Sequence, residues 1–87
     1  MTQDIQDRLQ GFKARFLARC REDAAALRSG TLPPVEVQKI AHRIAGMAGT
    51  LCLHDLGKSA AALDERIAEA LPYDTELDAL LVQLSLI

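Results

Sequence analysis

The sequence predicts an all-α protein, an antiparallel up-down-up-down bundle of four helices in a single domain that spans residues 1–87. Apolar residues make up 49% of the chain but aromatic residues only 3%, which favours closely packed helices over a sheet. Along four segments the apolar residues recur at steps of three and four, the period of an amphipathic helix. Short connections separate these segments, as is typical of an antiparallel bundle.

The first segment carries an apolar stripe at helical spacing, formed by Ile5, Leu9, Phe12, Phe16, Cys20 and Leu27. Thr2 or Asp4 is placed to cap the start of this helix, and Gly30 is suited to its end. Gly11 leaves room for a break in the segment, because glycine weakens a helix interior. The segment therefore predicts one long helix. If Gly11 breaks it, the residues before Gly11 would form a short N-terminal lead-in helix.

Three more helices follow the loop GTLPP at residues 30–34. The second is predicted over about residues 34–53, with proline in its first turn. The third is predicted over about residues 55–70 with Asp55 as its N-cap, and the fourth follows Pro72 with Asp74 or Thr75 as its cap. The residues predicted to face the core in the last two helices are Leu56, Ala60, Leu63, Ile67, Leu77, Leu80, Leu81 and Leu84.

Charge and hydropathy argue against several classes of partner. The net charge is −2, so the chain does not attract a phosphate backbone and we expect no nucleic-acid partner. No stretch approaches the roughly 18 apolar residues that a membrane span needs, and the polar start of the chain does not resemble a signal peptide. Cys20 and Cys52 are expected to be buried free thiols in a reducing cytoplasm, with a disulfide as the alternative.

His42 lies on the second predicted helix, away from its apolar face. At 100° per residue, with Ile40 set at zero, the apolar residues of this helix fall within an arc of about 120° centred near 40°. The members of this arc are Val37, Ile40, Ala41, Ile44, Met47, Ala48 and Leu51. His42 falls at about 200°, so its side chain is predicted to project from the bundle.

The surface around His42 is predicted to carry few side chains. Ala45, Gly46 and Gly49 lie near it, where a solvated helix face usually carries long charged residues. Glycine would let another surface approach the imidazole closely, and Arg43 places a cation nearby. The alternative is that the glycines let a second helix pack tightly and that His42 is merely solvated.

The run A-H-R-I-A-G-M-A-G-T-L-C-L at residues 41–53 resembles the signature of histidine-containing phosphotransfer (HPt) domains. His42, Ile44, Gly46 and Ala48 match the pattern of this family in register, and Gly49 matches many members. Leu63 and Asp64 stand where the family has leucine followed by Glu or Gln. Two positions depart from the pattern: Ala45 replaces a lysine, and Cys52 replaces a glycine.

The resemblance implies a phosphoryl carrier of a two-component phosphorelay and not an enzyme. His42 would accept the phosphoryl group on Nε2, and Asp64 would orient the ring through the other nitrogen, directly or through a water. The implied partners are the receiver domain of a response regulator, which would bring Mg²⁺, and a hybrid sensor histidine kinase; the chain itself would need no cofactor. Lys39, Ala45, Gly46 and Gly49 would meet the partner, and Arg43 or Lys39 would supply the charge of the missing lysine.

Other functions stay open at this point. A degenerate HPt-like module would bind a receiver without accepting phosphate, as the absence of the lysine at Ala45 suggests. A structural helical bundle would use the glycines for packing. A kinase dimerisation domain is disfavoured, because it typically has an acidic residue after the histidine where this chain has Arg43. A metal site formed by Cys20, Cys52, His42 and His54 lacks zinc-finger spacing, and we expect no metal.

Overall fold

The computed structural model describes residues 2–87, with Thr2 described for its backbone only. These residues form four helices and no strand: α1 (Thr2–Arg28), α2 (Pro34–Thr50), α3 (His54–Ala68) and α4 (Asp74–Ser85). α2 packs on α3, α3 on α4, α4 on α1 and α1 on α2, so the helices form a closed ring. The prediction of an all-α four-helix bundle is confirmed. Within residues 2–87, none of the helices combines the length and the apolar character needed to cross a membrane.

The core lies where the apolar stripes of the helices meet. Its largest fully buried side chains are Ile44, Leu56, Leu63, Leu80 and Cys20. Small residues line the contact between α2 and α3, where Ala48 and Ala60 are completely buried. A Cβ atom added to Gly57 would lie 3.4 Å from the Cβ of Ala48. A Cβ atom at this position would be at the limit of ordinary van der Waals contact, so the backbones of α2 and α3 approach closely at Gly57.

α1 is one continuous helix, so the predicted lead-in helix is wrong. The helix runs through Gly11 because one glycine costs only about 1 kcal/mol, whereas propagation of an existing helix is cooperative. Its 27 residues extend for about 40 Å, against about 25 Å for α2. The stripe is consequently buried at Phe16, Cys20 and Leu27 but exposed at the N-terminal Ile5 and Leu9.

The helices begin without the predicted side-chain caps. Leu53 precedes α3 and Tyr73 precedes α4, and neither side chain bonds to the helix. Asp55 and Asp74 instead lie in the first turns, where a negative charge is favoured by the helix dipole. The caps predicted at Asp55, Asp74 or Thr75 are therefore wrong. For α1, Asp4 lies in the first turn, and a cap at the Thr2 side chain falls outside the described atoms.

Three helices are followed by a residue in the left-handed conformation: Gly30 (φ 70°), Cys52 (φ 59°) and Ala70 (φ 57°). After α2, the amide of Cys52 donates to the carbonyl of Gly49, and the amide of Leu53 donates to that of Ala48. This bond pattern is a Schellman motif, for which glycine is the favoured residue at the left-handed position. Cys52 is exposed, so the prediction of a buried thiol is wrong there, whereas Cys20 is buried as predicted.

Replacing Cys52 with glycine should stabilise the protein. A side chain in the left-handed region costs about 1–2 kcal/mol, and the greater freedom of glycine in the unfolded chain offsets part of the gain. We expect Cys52→Gly to raise the free energy of unfolding by about 0.5–1 kcal/mol, measured by urea denaturation. Cys52→Ala is the control, because it removes the thiol but keeps the strained backbone. Equal stability of the two variants would contradict this account.

Candidate functional site

His42 projects from the middle of α2 into solvent, as its position on the helix predicted. Its side chain is 81% exposed, and its Nδ1 lies 2.9 Å from Oδ2 of Asp64 on α3. The contact is direct, so no water is needed to connect the shorter aspartate to the ring. Among residues 2–87, no protein group is hydrogen-bonded to Nε2 of His42. One ring nitrogen is thus anchored to the bundle while the other faces outward.

Asp64 receives two hydrogen bonds from α2, each on a different oxygen. Nδ1 of His42 bonds to Oδ2, and Nε2 of Gln38 donates to Oδ1 at 3.0 Å. The bond with His42 is the main cause of a lowered pKa for the Asp64 carboxyl group, with a smaller contribution from Gln38. Asp64 is only 23% exposed and is ionised at neutral pH. An ionised carboxylate only accepts, so Nδ1 must carry the proton when the ring is neutral.

A shallow groove of about 380 Å³ opens beside the imidazole, lined by Val35, Gln38, Lys39, His42, Arg43 and Asp64. The side chain of Lys39 is 69% exposed and reaches Oε1 of Glu36 at 3.4 Å. A solvated contact of this length holds a lysine weakly. Lys39 is therefore a solvated cation in the groove beside His42, with only a weak contact to Glu36.

The glycines next to His42 face open space. A Cβ atom added to Gly46 or Gly49 would have no neighbour within 4 Å. Close packing within the chain therefore does not explain either glycine, in contrast to Gly57 on α3. Ala45, one turn from His42, is partly buried and adds only a methyl group to this surface. Ala45, Gly46 and Gly49 leave a bare strip of helix next to an exposed imidazole.

Arg43 borders the groove of His42, but its guanidinium group is bonded to α1. Its two terminal nitrogens each lie 3.0 Å from a different oxygen of Asp23, a residue that is only 5% exposed. This bidentate bridge raises the pKa of Arg43 above its ordinary value. Arg19, one turn before Asp23 on α1, adds a longer contact at 3.7 Å. The bridge from Arg43 is the one that joins two helices, so it holds α1 against α2.

The four residues considered for a metal site do not come together. Cys20 is buried in the core, and burial raises the pKa of its thiol to about 11. Cys52 is exposed at the end of α2, and His54 is exposed at the start of α3. Within residues 2–87, no group of three His, Cys, Asp or Glu side chains is placed to bind a metal ion.

Sequence reasoning did not identify the roles of Asp23 and Gln38. Asp23 pairs across 20 positions with Arg43, and no local pattern indicates such a pair. Gln38 did carry a signal, because it lies four residues before His42 and therefore on the same helix face. A polar residue one turn from His42 can reach the same acidic side chain that orients the imidazole, so Gln38 could have been named as a second partner of Asp64.

Comparison of the chain with known protein families, curated protein sequences and solved structures gave no significant match.

The hydrogen bonds on Asp64 should make stability depend on pH. Its folded pKa lies below the unfolded value of about 4, so its contribution is present above about pH 4 and is lost as the pH falls through the folded pKa. We expect the difference in free energy of unfolding between the wild type and Asp64→Asn to be present above about pH 4, where the carboxylate is ionised. It should shrink as the pH falls below about 4 through the folded pKa, because a protonated carboxyl resembles an amide. Urea denaturation across this range measures it, and a difference independent of pH would contradict the assignment.

Proposed function

We propose that this protein carries a phosphoryl group on His42, to or from the aspartate of a response-regulator receiver domain. The observation that carries the proposal is an imidazole with Nδ1 bonded to Asp64 and Nε2 facing solvent. The sequence resemblance to HPt domains points to the same residue. A hybrid sensor histidine kinase, through its own receiver domain, is the proposed partner on the other side of the relay.

The anchored ring is suited to nucleophilic attack. Because the carboxylate of Asp64 accepts a hydrogen bond from Nδ1–H, the neutral ring keeps its lone pair on Nε2. The lone pair attacks the phosphorus of an aspartyl phosphate, an N–P bond forms, and the P–O bond to the aspartate breaks. The electron pair of that bond leaves with the carboxylate of the receiver. Transfer in the opposite direction follows the same path.

Asp64 also stabilises the product. Attack by Nε2 converts the neutral ring to a phosphorylated imidazolium, whose Nδ1 proton stays hydrogen-bonded to Oδ2. A negative charge at this position favours the developing positive charge of the ring, the role that a carboxylate plays toward histidine in other sites. The receiver supplies Mg²⁺ for the charge on the phosphoryl group, so His42 and Asp64 need to supply only the nucleophile and its orientation.

The bare strip of Ala45, Gly46 and Gly49 supports contact with a second protein. Each glycine costs the helix about 1 kcal/mol relative to alanine, and neither is required by packing inside the chain. Close approach of a partner backbone would require them, since long side chains on this face would hold that backbone away from His42. The bare strip therefore favours a surface that meets a partner over a bundle whose glycines serve only its own packing.

Lys39 is the proposed source of positive charge in place of the family lysine at Ala45. It shares the groove with His42 and is held only by the solvated contact with Glu36. Arg43 is less suited, because binding a phosphoryl group would require breaking its bridge to the buried Asp23. The alternative function, a module that binds a receiver without phosphotransfer, is favoured by the absence of a lysine at Ala45 and by the engagement of Arg43 with Asp23.

Transfer of radiolabel from a panel of receiver domains phosphorylated at their aspartate tests the proposal. We expect acid-labile, base-stable label on the wild type and no label on His42→Gln. His54→Gln is the matched control, because it removes the other exposed histidine and should keep the label. Label on His42→Gln would exclude the site, and receiver binding without any label would favour the docking module.

A further inference from the structure

Gln38 and His42 hold the same carboxylate from one face of α2. They lie one helical turn apart, and both reach across to Asp64 on α3. Nε2 of Gln38 bonds to Oδ1 at 3.0 Å, while Nδ1 of His42 bonds to Oδ2 at 2.9 Å. Each carboxylate oxygen therefore has its own donor, and the two bonds fix the rotation of the carboxylate together.

We propose that Gln38 is a positioning residue for His42 that acts through Asp64. The carboxylate of an aspartate rotates over a broad range about its last bond. A second donor on Oδ1 restricts that rotation and keeps Oδ2 directed at the imidazole. The effect of Gln38 on phosphoryl transfer rests on the function proposed above, whereas its effect on the ring of His42 does not.

The chemistry of the three groups fixes the direction of both hydrogen bonds. Asp64 is ionised and only accepts, so Gln38 must present its amide NH₂ group to Oδ1 and His42 must present Nδ1–H to Oδ2. Loss of the Gln38 donor would leave Oδ1 to water and let the carboxylate rotate away. The ring of His42 would then exchange more freely between its two neutral tautomers, and Nε2 would hold its lone pair for a smaller fraction of the time.

Two variants of Gln38 test this coupling. Gln38→Leu removes the donor, and Gln38→Glu keeps the shape but places a second negative charge against Asp64. Gln83→Leu is the matched control for general effects of the substitution, because Gln83 is also a partly buried glutamine but lies on α4. Thermal melting of each variant shows whether the bundle is intact, and Gln38→Glu serves if Gln38→Leu does not fold.

The first readout is the tautomer of His42, measured by ¹⁵N NMR at pH 8 without any phosphate. We expect the Nδ1–H form to dominate in the wild type and in Gln83→Leu, and to fall in both Gln38 variants and in Asp64→Ala. An unchanged tautomer in folded Gln38 variants, with a changed one in Asp64→Ala, would overturn the proposal. This readout stands even if His42 never accepts phosphate.

The second readout is the initial rate of His42 phosphorylation by phosphoramidate, a donor that needs no docking partner. We expect Gln38→Leu to lower this rate about three- to tenfold in the wild-type background, the range expected for one hydrogen bond. In the Asp64→Ala background it should cause no further loss, because Gln38 acts only through Asp64. An equal loss in both backgrounds would overturn the proposal. If the wild type is not phosphorylated at all, the proposed function fails and the tautomer alone decides the role of Gln38.

Discussion

The hydrogen bond between Nδ1 of His42 and Oδ2 of Asp64 is the interaction on which the site depends. It converts an imidazole that is almost entirely in solvent into a group with a defined orientation, and it distinguishes the two ring nitrogens. Without that bond, His42 would be one more solvated histidine on a helix. The bond itself depends on how closely α2 and α3 pack, because it joins side chains on two different helices.

The packing of α2 on α3 explains why aspartate suffices for this bond. Gly57 and Ala48 meet with little space between the backbones, and Ala60 lies completely buried in the same contact. Aspartate has the shortest acidic side chain, and the close helix pair lets Asp64 reach the ring directly at 2.9 Å. The small residues of the core and the chemistry of the surface are thereby linked.

Two cations of α2 have different surroundings. Arg43 bridges the buried Asp23 of α1 through both terminal nitrogens. Lys39 lies in the groove beside His42, and its contact with Glu36 is solvated. Arg43 therefore stabilises a contact between helices, whereas Lys39 lies on an exposed surface. The neighbours of His42 in sequence do not show this division, because it depends on which helix each side chain faces.

Helical periodicity was enough to predict the four helices, most of the core and the outward direction of His42, because these depend on spacing along one helix. The choice of Asp64 came from the register of a family pattern, and the structure brings that residue to the ring. Features that depend on the rest of the fold were missed or wrong. Gly11 does not break α1, since the cooperativity of the helix outweighs one weak residue. Cys52 is exposed, because the end of α2 places it in a left-handed turn that periodicity does not reveal.

The central claim is tested most directly by identifying which ring nitrogen of His42 becomes bonded to phosphorus. After reaction of the ¹⁵N-labelled protein with phosphoramidate, ³¹P and ¹⁵N NMR identify which ring atom is bonded to phosphorus. The anchored ring predicts phosphorus on Nε2 of His42, with Nδ1 still protonated against Asp64. Phosphorus on Nδ1 of His42, or on another residue in place of His42, would contradict the account.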